Sequence, residues 1–242
     1  NHMYIRIASN DFFAVSKDVV SKMIAGELTA AQAYQAFNAK LLAEEEPADN
    51  ETVLTSGKAY SNVFHANGGS AAFSVMANTL RGVYGTDVLL ATANSFTGSV
   101  LQADYNQKMA ASMIMPNGLM SRQRTMTGAE LKETVRAFVE GCEGGFVPFN
   151  RGSLPVVSGI AVEVKEANGS YTLTGITRNG QPLGDGDTVT VTCLATEKQM
   201  EALLASDSGT SAGEDAWVKN TWRDYVSGGA ALAEPENYMT LR

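Results

Sequence analysis

Side chains that commonly perform acid–base or metal chemistry are scarce in this sequence. Beyond the starting residues Asn1-His2-Met3, the single histidine is His65, which stands close to Asn67-Gly68-Gly69. Its imidazole could act as a general base, but no nucleophile or orienting carboxylate is identifiable near it. A loop histidine is the simpler interpretation. One histidine also disfavours a histidine-based metal site, because zinc and two-metal sites draw on several converging ligands.

The remaining candidates for chemistry have structural interpretations. Cys142 and Cys193 have neither metal-ligand spacing nor the number needed for a disulfide framework, which favours two buried thiols. Gly184-Asp185-Gly186-Asp187 lacks the ligand alternation and distal glutamate of a calcium loop, which favours a tight turn. No Ser-His-Asp or Cys-His motif and no glycine-rich phosphate loop is recognisable. We therefore predict no catalytic residue and no metal ligand in this chain.

Composition limits the class of protein. The chain has 242 residues, of which 44% are hydrophobic, with a net charge of −8 and a pI near 4.8. It is long enough for one large domain, or for one domain with an appendage. Its acidity argues against nucleic-acid binding, although a single nucleotide in a pocket is compatible with it. No run approaches the roughly 18 apolar residues of a membrane span. The first three residues suggest a fragment whose targeting segment lies outside it.

Residues 1–50 are predicted to form a helical hairpin and an acidic linker. The first helix ends at Gly26 and the second begins at Thr29. Their apolar faces comprise Val15, Val19, Val20, Met23, Ile24, Tyr34, Phe37, Leu41 and Leu42. Residues 44–51 are acidic and interrupted by Pro47, which is typical of a solvated linker. A domain boundary is therefore predicted here, followed by a second domain over residues 51–242.

The second domain alternates between helix and strand signals. Helices are predicted at Ala71 to Tyr84, Asn106 to Met115 and Trp217 to Val226, with a strand at Val88 to Thr92. Ser206 to Asp215 is rich in serine, glycine and aspartate, which is typical of a mobile loop.

The clearest signals lie between Met126 and Thr196. Thr127 and Glu130 have the spacing of a capping box and open an amphipathic helix. Strand patterns follow at Val156 to Val164, Tyr171 to Thr177 and Asp187 to Leu194, with Asn-Gly turns at Asn168 and Asn179. We predict a helix followed by three consecutive antiparallel strands.

The order of these motifs resembles the C-terminal domain of bacterial and animal 5′-nucleotidases. The likeness rests on T-G-A-x-L-K, V-S-G-I-x-V-x-V, N-G-x-P-L and D-x-x-T-V-x-V, and extends more weakly from Ala71 to the C-terminus. It implies an α/β (mixed α+β) fold, with a mixed sheet, antiparallel hairpins and packed helices, preceded here by the N-terminal helical hairpin. It also implies strands at Leu119 to Met126 and Met239 to Arg242. In that family a separate metallophosphatase domain with two metal ions hydrolyses the phosphoester, while the C-terminal domain clamps the nucleoside. The D-x-H, G-N-H-[ED] and G-H-x-H motifs of the catalytic domain are absent from this sequence.

The resemblance also indicates substrate-binding positions. The family's first stacking phenylalanine, in P-F-G, falls on Asn117, and its second, in N-F-L-A-N-G-G-D, falls on Cys193. The acidic residue that closes the second motif falls on Gln199. The loop N-G-G-G-I-R corresponds to residues 92–98, which include Asn94 and Phe96. These five residues are the candidate substrate-binding positions.

Most of these positions differ from the family. The loop arginine that contacts phosphate falls on Thr97 or Ser99, neither of which is charged. Each lost base stack removes roughly 1–3 kcal/mol, and an arginine–phosphate contact is among the stronger hydrogen bonds. Nucleotide affinity should therefore be lower by several orders of magnitude. A different aromatic and cationic site could involve Phe96, Phe146, Phe149 and Arg151. The alternative is that these aromatics anchor loops to the core.

The resemblance therefore predicts the substrate-binding and specificity domain of a secreted 5′-nucleotidase-like phosphohydrolase with a divergent nucleotide site. The expected partners are an upstream catalytic or solute-binding domain of the same polypeptide and a nucleoside or nucleotide ligand, with no nucleic acid and no membrane span. No cofactor is expected in this chain, and divalent metals only in an upstream metallophosphatase domain. The expected localisation is extracytoplasmic. The alternative is a non-catalytic binding or scaffold domain of a larger cell-surface protein.

Overall fold

The computed structural model describes residues 19, 21–29, 32, 51–63, 69–115, 118–140, 155–167, 170–197, 200, 204 and 209–242. The chain divides into two compact units, Asn1–Glu51 and Thr52–Arg242. In these ranges no helix has the length and apolar character needed to cross a bilayer.

The first unit contains the turn that the sequence placed between two helices. Residues 21–24 are helical, and Gly26 has a φ of 75°, the left-handed conformation in which glycine commonly ends a helix. Thr29 donates its backbone N–H to Gln32 Oε1 at 2.9 Å, and the Gln32 N–H donates to Thr29 Oγ1 at 3.3 Å. The reciprocal pair is a capping box. The rest of the predicted hairpin and linker lies outside the described residues, so the domain assignment stays a prediction.

The second unit contains strands and helices in mixed order. The strands are β1 (Thr52–Ser56), β2 (Val88–Thr92), β3 (Ala103–Asn106), β4 (Met120–Thr127), β5 (Pro155–Ser158), β6 (Ala161–Ala167), β7 (Ser170–Arg178), β8 (Gln181–Pro182), β9 (Thr188–Ala195), β10 (Thr210–Ser211), β11 (Ala216–Trp217) and β12 (Met239–Leu241). The helices are α1 (Ala71–Tyr84), α2 (Gln107–Ala111), α3 (Gly128–Glu140) and α4 (Val218–Ser227), with a 3₁₀ turn at Ala93–Ser95.

Two mixed sheets form the body of this unit. The larger has the order β10-β4-β9-β2-β5, with β11 also paired to β4, and only β9 and β2 run parallel among these pairs. The smaller has the order β12-β6-β7-β8, with β12 parallel to β6. Strands β1 and β3 form a separate antiparallel pair. The predicted mixed α/β fold, with antiparallel hairpins and packed helices, is confirmed.

The helices cover the sheets and create the core. Helix α1 packs against β2 and β5, and α3 packs against β4 and β7. Every residue of β2 is buried, as expected for a strand in the middle of a covered sheet. Helix α1 begins where Ser70 Oγ accepts the Phe73 N–H and ends at Gly85, which has a φ of 64°. Its length and position match the sequence prediction.

The capping box of α3 is confirmed. The Thr127 N–H donates to Glu130 Oε2 at 2.7 Å, and the Glu130 N–H donates to Thr127 Oγ1 at 3.2 Å. The apolar residues predicted for its inner face, Leu131, Val135, Phe138 and Val139, are buried in the core. The Asn179-Gly180 turn is confirmed too, since both residues have positive φ and connect β7 to β8.

The strand predicted from Val156 to Val164 is wrong as a single element. It is two strands, β5 and β6, which belong to different sheets. The break falls at Gly159, which has a φ of 83° and comes so close to the Asp87 carbonyl that an added Cβ would overlap it. The chain needs glycine there in order to turn from one sheet into the other.

The prediction of three consecutive antiparallel strands is correct only for the first pair. Strands β6 and β7 form an antiparallel hairpin. The third strand, β9, leaves this sheet and inserts between β4 and β2 of the larger sheet. An alternating pattern indicates that a strand has one buried face, but it does not specify the neighbouring strand.

Two other boundaries differ from prediction. The helix expected from Asn106 to Met115 is the shorter α2, capped by the Asn106 side chain, which accepts the Met109 N–H at 2.9 Å. The loop expected from Ser206 to Asp215 includes β10, in which Thr210 pairs with Thr125 of β4.

Candidate functional site

Three loops that the sequence associated with substrate binding begin or end at one edge of the larger sheet. Strands β2 and β9 are parallel, so their carboxyl ends at Thr92 and Ala195 lie at the same edge. Strand β4 is antiparallel to β9, and its first residue, Met120, pairs with Ala195. The carboxyl ends of parallel strands are common ligand-binding positions. This edge, with the described residues 93–98, 118–120 and 195–197, is called the strand-end site below.

The loop that follows β2 is tied to the segment that follows α2. The Thr97 N–H donates to the Met113 carbonyl, and the Met115 N–H donates to the Ser95 carbonyl, both at 3.0 Å. These bonds bring two of the three loops into contact through their backbones.

Phe96 anchors this loop to the core. Its side chain is 5% exposed, and its ring lies 6.0 Å from the ring of Phe73 of α1, tilted by 31°. The packing interpretation is therefore confirmed for Phe96. Asn94, two residues earlier, is exposed at the strand-end site, where its amide can donate and accept hydrogen bonds.

Cys193 is a buried thiol on β9. Its neighbours in the sheet are Leu90 of β2 and Arg122 of β4, and it is fully buried and unbridged. Burial raises the pKa of its thiol to about 12, although the positive charges of Arg124 and Arg122 act in the opposite direction. The buried-thiol interpretation is confirmed for Cys193. Its small, enclosed side chain has no aromatic face on which a base could stack.

Arg122 is a cation near this edge, and it is already paired. It donates to Asp215 Oδ2 through Nε at 3.0 Å and through Nη2 at 2.7 Å. The hydrogen bond that Arg122 donates to Asp215 is the main reason that the pKa of Arg122 is raised. Because Asp215 occupies both the Nε and the Nη2 donors of this guanidinium, Arg122 is a poor replacement for the family's phosphate-binding arginine.

Ser95, next to Asn94 in this loop, is a residue that the sequence did not single out. Its hydroxyl is fully buried and makes no hydrogen bond with any described residue. Buried polar groups nearly always have a hydrogen-bond partner, so this hydroxyl is an exception among the described residues. No local sequence pattern distinguishes this serine from an ordinary loop residue.

Solved structures with the same fold include three informative proteins. The precursor of 5′-nucleotidase from Thermus thermophilus matches with a TM-score of 0.61 and 14% identity, over 88% of this chain and 43% of that chain. NAD nucleotidase from Haemophilus influenzae matches with a TM-score of 0.59 and 17% identity, over 88% and 42%. The sulfate thiohydrolase SoxB from Thermus thermophilus matches with a TM-score of 0.62 and 14% identity, over 90% and 40%.

The fold is that of a 5′-nucleotidase C-terminal domain. No family model and no curated protein matches the sequence. Identities of 14–17% establish the fold alone, and the chain spans less than half the length of these proteins.

The nucleotidase-like fold places part of the predicted site. It brings Asn94 and Phe96 to the edge that β9 reaches two residues after Cys193. Asn117 and Gln199 lie outside the described residues, as do His65, Cys142, Phe146, Phe149 and Arg151. The binding roles of the five candidates stay predictions.

The described ranges contain no group of three or more His, Cys, Asp or Glu side chains placed to hold a metal. The Gly184–Asp187 segment is held by its own hydrogen bonds. Asp187 Oδ2 accepts the Gly184 N–H at 2.8 Å, and Asp185 Oδ1 accepts from Lys132 Nζ at 2.6 Å. Both carboxylates therefore have protein partners in the tight turn that the sequence favoured.

Proposed function

We propose that this chain is the substrate-binding domain of a 5′-nucleotidase-like phosphohydrolase with a divergent nucleotide site. The observation that carries the proposal is the convergence of the loops after β2 and β9 and before β4 at one edge of a nucleotidase-like sheet. The ligand would be a nucleoside or nucleotide. The exposed Asn94 amide is one polar group at this edge that could contact it.

Phosphoester hydrolysis would belong to an upstream metallophosphatase domain of the same polypeptide. The proteins with the same fold are more than twice as long as the part that this chain matches, which is consistent with a further domain. Such a domain would bind the two divalent metals that stabilise the attacking and leaving oxygens. This chain would contribute orientation of the substrate, and an extracytoplasmic location belongs to the same proposal.

One observation favours the alternative, a non-catalytic binding or scaffold domain. Asn117 and Cys193 correspond to the family's stacking phenylalanines, and the structure describes Cys193. Its side chain is fully buried. Phe96, the aromatic residue of the neighbouring loop, packs inward on Phe73. Loss of base stacking with retention of the fold is the expected result if the domain kept only a docking role.

Titration of the chain with adenosine and AMP distinguishes the two functions. We expect saturable binding at millimolar ligand, seen as calorimetric heat and as NMR shifts at the Asn94 and Thr97 amides. Asn94→Ala should weaken it, whereas Asn220→Ala, a change on the exposed face of α4, should not. No heat and no shift at millimolar ligand would leave only the scaffold role.

The architecture of the full gene tests the enzymatic part. An upstream domain with the D-x-H, G-N-H-[ED] and G-H-x-H motifs supports a phosphohydrolase. An upstream domain without them contradicts it, whatever this chain binds.

A further inference from the structure

A cavity lies at the opposite edge of the larger sheet from the strand-end site. Its volume is about 530 Å³, within the size range of small-molecule sites. Asp87, just before β2, and Gly159, just after β5, border it from the sheet, because β2 and β5 are antiparallel. The Asn179-Gly180 turn and Glu236 border it from the other side. The cavity, called the arginine pocket below, also contains the guanidinium groups of Arg81 and Arg178.

Arg81 is held in place on one side and has unused donors on the other. Its Nε donates to Ser158 Oγ at 2.8 Å, and Ser158 in turn donates to Asn78 Oδ1. Gly159 permits the close approach, since a Cβ there would lie 3.1 Å from Arg81 Cδ. The nearest carboxylate oxygen to Arg81 Nη2 belongs to Glu236 at 3.7 Å, beyond hydrogen-bond distance. This nitrogen therefore has N–H groups to offer a ligand.

Arg178 is positioned by Asp87 in the same way. Its Nη2 donates to Asp87 Oδ1, and it makes no other side-chain hydrogen bond within the described ranges. Asp87 Oδ2 accepts from the Thr190 N–H at 2.8 Å and from Thr190 Oγ1 at 2.9 Å. Both oxygens of the carboxylate are thus occupied. Asp87 orients Arg178, and the Arg178 Nε and Nη1 groups remain unpaired.

Glu236 is the acidic group that a ligand would displace. Its side chain is 52% exposed, and its contact with Arg81 is too long for a hydrogen bond. Its backbone is fixed separately, because Ser74 Oγ donates to the Glu236 carbonyl at 2.9 Å and accepts the Glu236 N–H at 2.8 Å. The carboxylate can therefore turn into solvent without moving the chain.

We propose that the arginine pocket binds a small ligand through an oxyanion group, a carboxylate or a phosphate, held by Arg81 and Arg178. Guanidinium groups present paired N–H donors that match the two oxygens of such a group. Both are oriented before the ligand arrives, which lowers the entropy lost on binding. Each arginine side chain is about 30% exposed, so it is accessible yet partly shielded from water.

NMR titration of the isotopically labelled chain locates the site. One arm uses inorganic phosphate and the other uses malonate, and the arm with the lower dissociation constant identifies the preferred oxyanion. We expect saturable shifts of the Gly159 and Gly180 amides in at least one arm. Shifts confined to residues 93–97, or no saturable shift with either anion, would overturn the proposal.

Matched variants test the residues. Arg178→Gln should raise the dissociation constant about tenfold, the loss typical of one charge-assisted contact. Glu236→Gln should lower it, because a competing negative charge is removed while the Ser74 hydrogen bonds remain. Arg223→Gln, at an exposed arginine of α4 paired with Asp224, should leave it unchanged.

Two outcomes would contradict this assignment. One is an equal rise of the dissociation constant in Arg178→Gln and Arg223→Gln, which would indicate nonspecific charge attraction. The other is weaker binding in Glu236→Gln, a variant that tests the pocket even if Arg178→Gln does not fold.

Discussion

The carboxylate of Asp87 connects residues that are far apart in the chain. It accepts two hydrogen bonds from Thr190, 103 residues away, and one from Arg178. Burial alone would raise the pKa of Asp87, but the hydrogen bonds from Thr190 and the charges of Arg178 and Arg81 outweigh it. Its pKa in the folded protein is therefore below the usual 3.8. The charged form is the one that the fold stabilises.

Asp87→Asn should lower the free energy of unfolding by about 1–2 kcal/mol at pH 7, a modest value because solvent screens this one-third-exposed group. The pKa is lower in the folded state than in the unfolded state. The stabilisation is therefore complete above about pH 4 and disappears as the pH falls through the folded-state pKa. Urea denaturation between pH 7 and pH 2.5 should show the wild type and the variant converging. Asp224→Asn, at an exposed position, should change stability little, and a pH-independent difference for Asp87→Asn would contradict the explanation.

At the scale of elements, the corner between β5 and β6 determines how the two sheets are connected. Gly159 combines a positive φ with an approach to the Asp87 carbonyl that leaves no room for a side chain. Gly180, in the turn between β7 and β8, has a similar φ of 75° but open space around it. Substitutions at these two glycines therefore distinguish the cost of backbone strain from the cost of steric overlap.

Gly159→Ala should lower the free energy of unfolding by about 3 kcal/mol or more, because strain and overlap add. Gly180→Ala should lower it by only about 1–2 kcal/mol, the effect of strain alone. Thermal and urea denaturation of both variants measures the difference. Equal effects would indicate that the Asp87 carbonyl moves away at little cost.

Helices α2 and α4 are joined by one large side chain. Trp222 of α4 is fully buried, and its Nε1 donates to the Ala110 carbonyl of α2 at 2.8 Å. Trp217, at the start of the same helix, is 49% exposed. The two tryptophans therefore differ, because Trp222 packs in the core whereas Trp217 is half exposed.

Trp222→Phe should lower the free energy of unfolding by about 2–3 kcal/mol, since it removes a hydrogen bond and leaves a cavity. Trp217→Phe should change it by about 0.5 kcal/mol or less. Circular dichroism is the suitable probe, because both substitutions alter fluorescence. Comparable effects of the two variants would contradict the packing of α4 on α2.

For the whole molecule, the buried cluster that the structure describes is an extensive hydrophobic core. Its described members run from Leu54 to Met239. These residues fall within the compact unit Thr52–Arg242. A cluster of this size is sufficient for independent folding of a domain.

A fragment of residues 52–242 should therefore fold alone and unfold in one cooperative transition. Its thermal midpoint should lie within a few degrees of that of the full chain, because the core is unchanged. Calorimetry and NMR dispersion measure this directly. A collapsed fragment with poor dispersion would show that residues 1–51 are needed for folding.

The candidate site was only partly predictable. The order of motifs identified the loops, and the strand topology brings described parts of them to one edge. Ser95 and the pairing of Arg122 with Asp215 were not predicted, because both depend on contacts between distant segments. The arginine pocket has no sequence motif for the same reason.

By itself the sequence determined the local structure. The capping box at Thr127 and Glu130 and the turn at Asn179-Gly180 involve residues three or fewer positions apart, so their backbone preferences are set locally. Tertiary structure alone decided which strands pair, because alternation specifies a buried face but no partner. It placed β9 between β4 and β2, buried Phe96 and Cys193 in the core, and brought Arg81 and Arg178 to one cavity. These arrangements depend on packing between distant segments, which no short sequence pattern encodes.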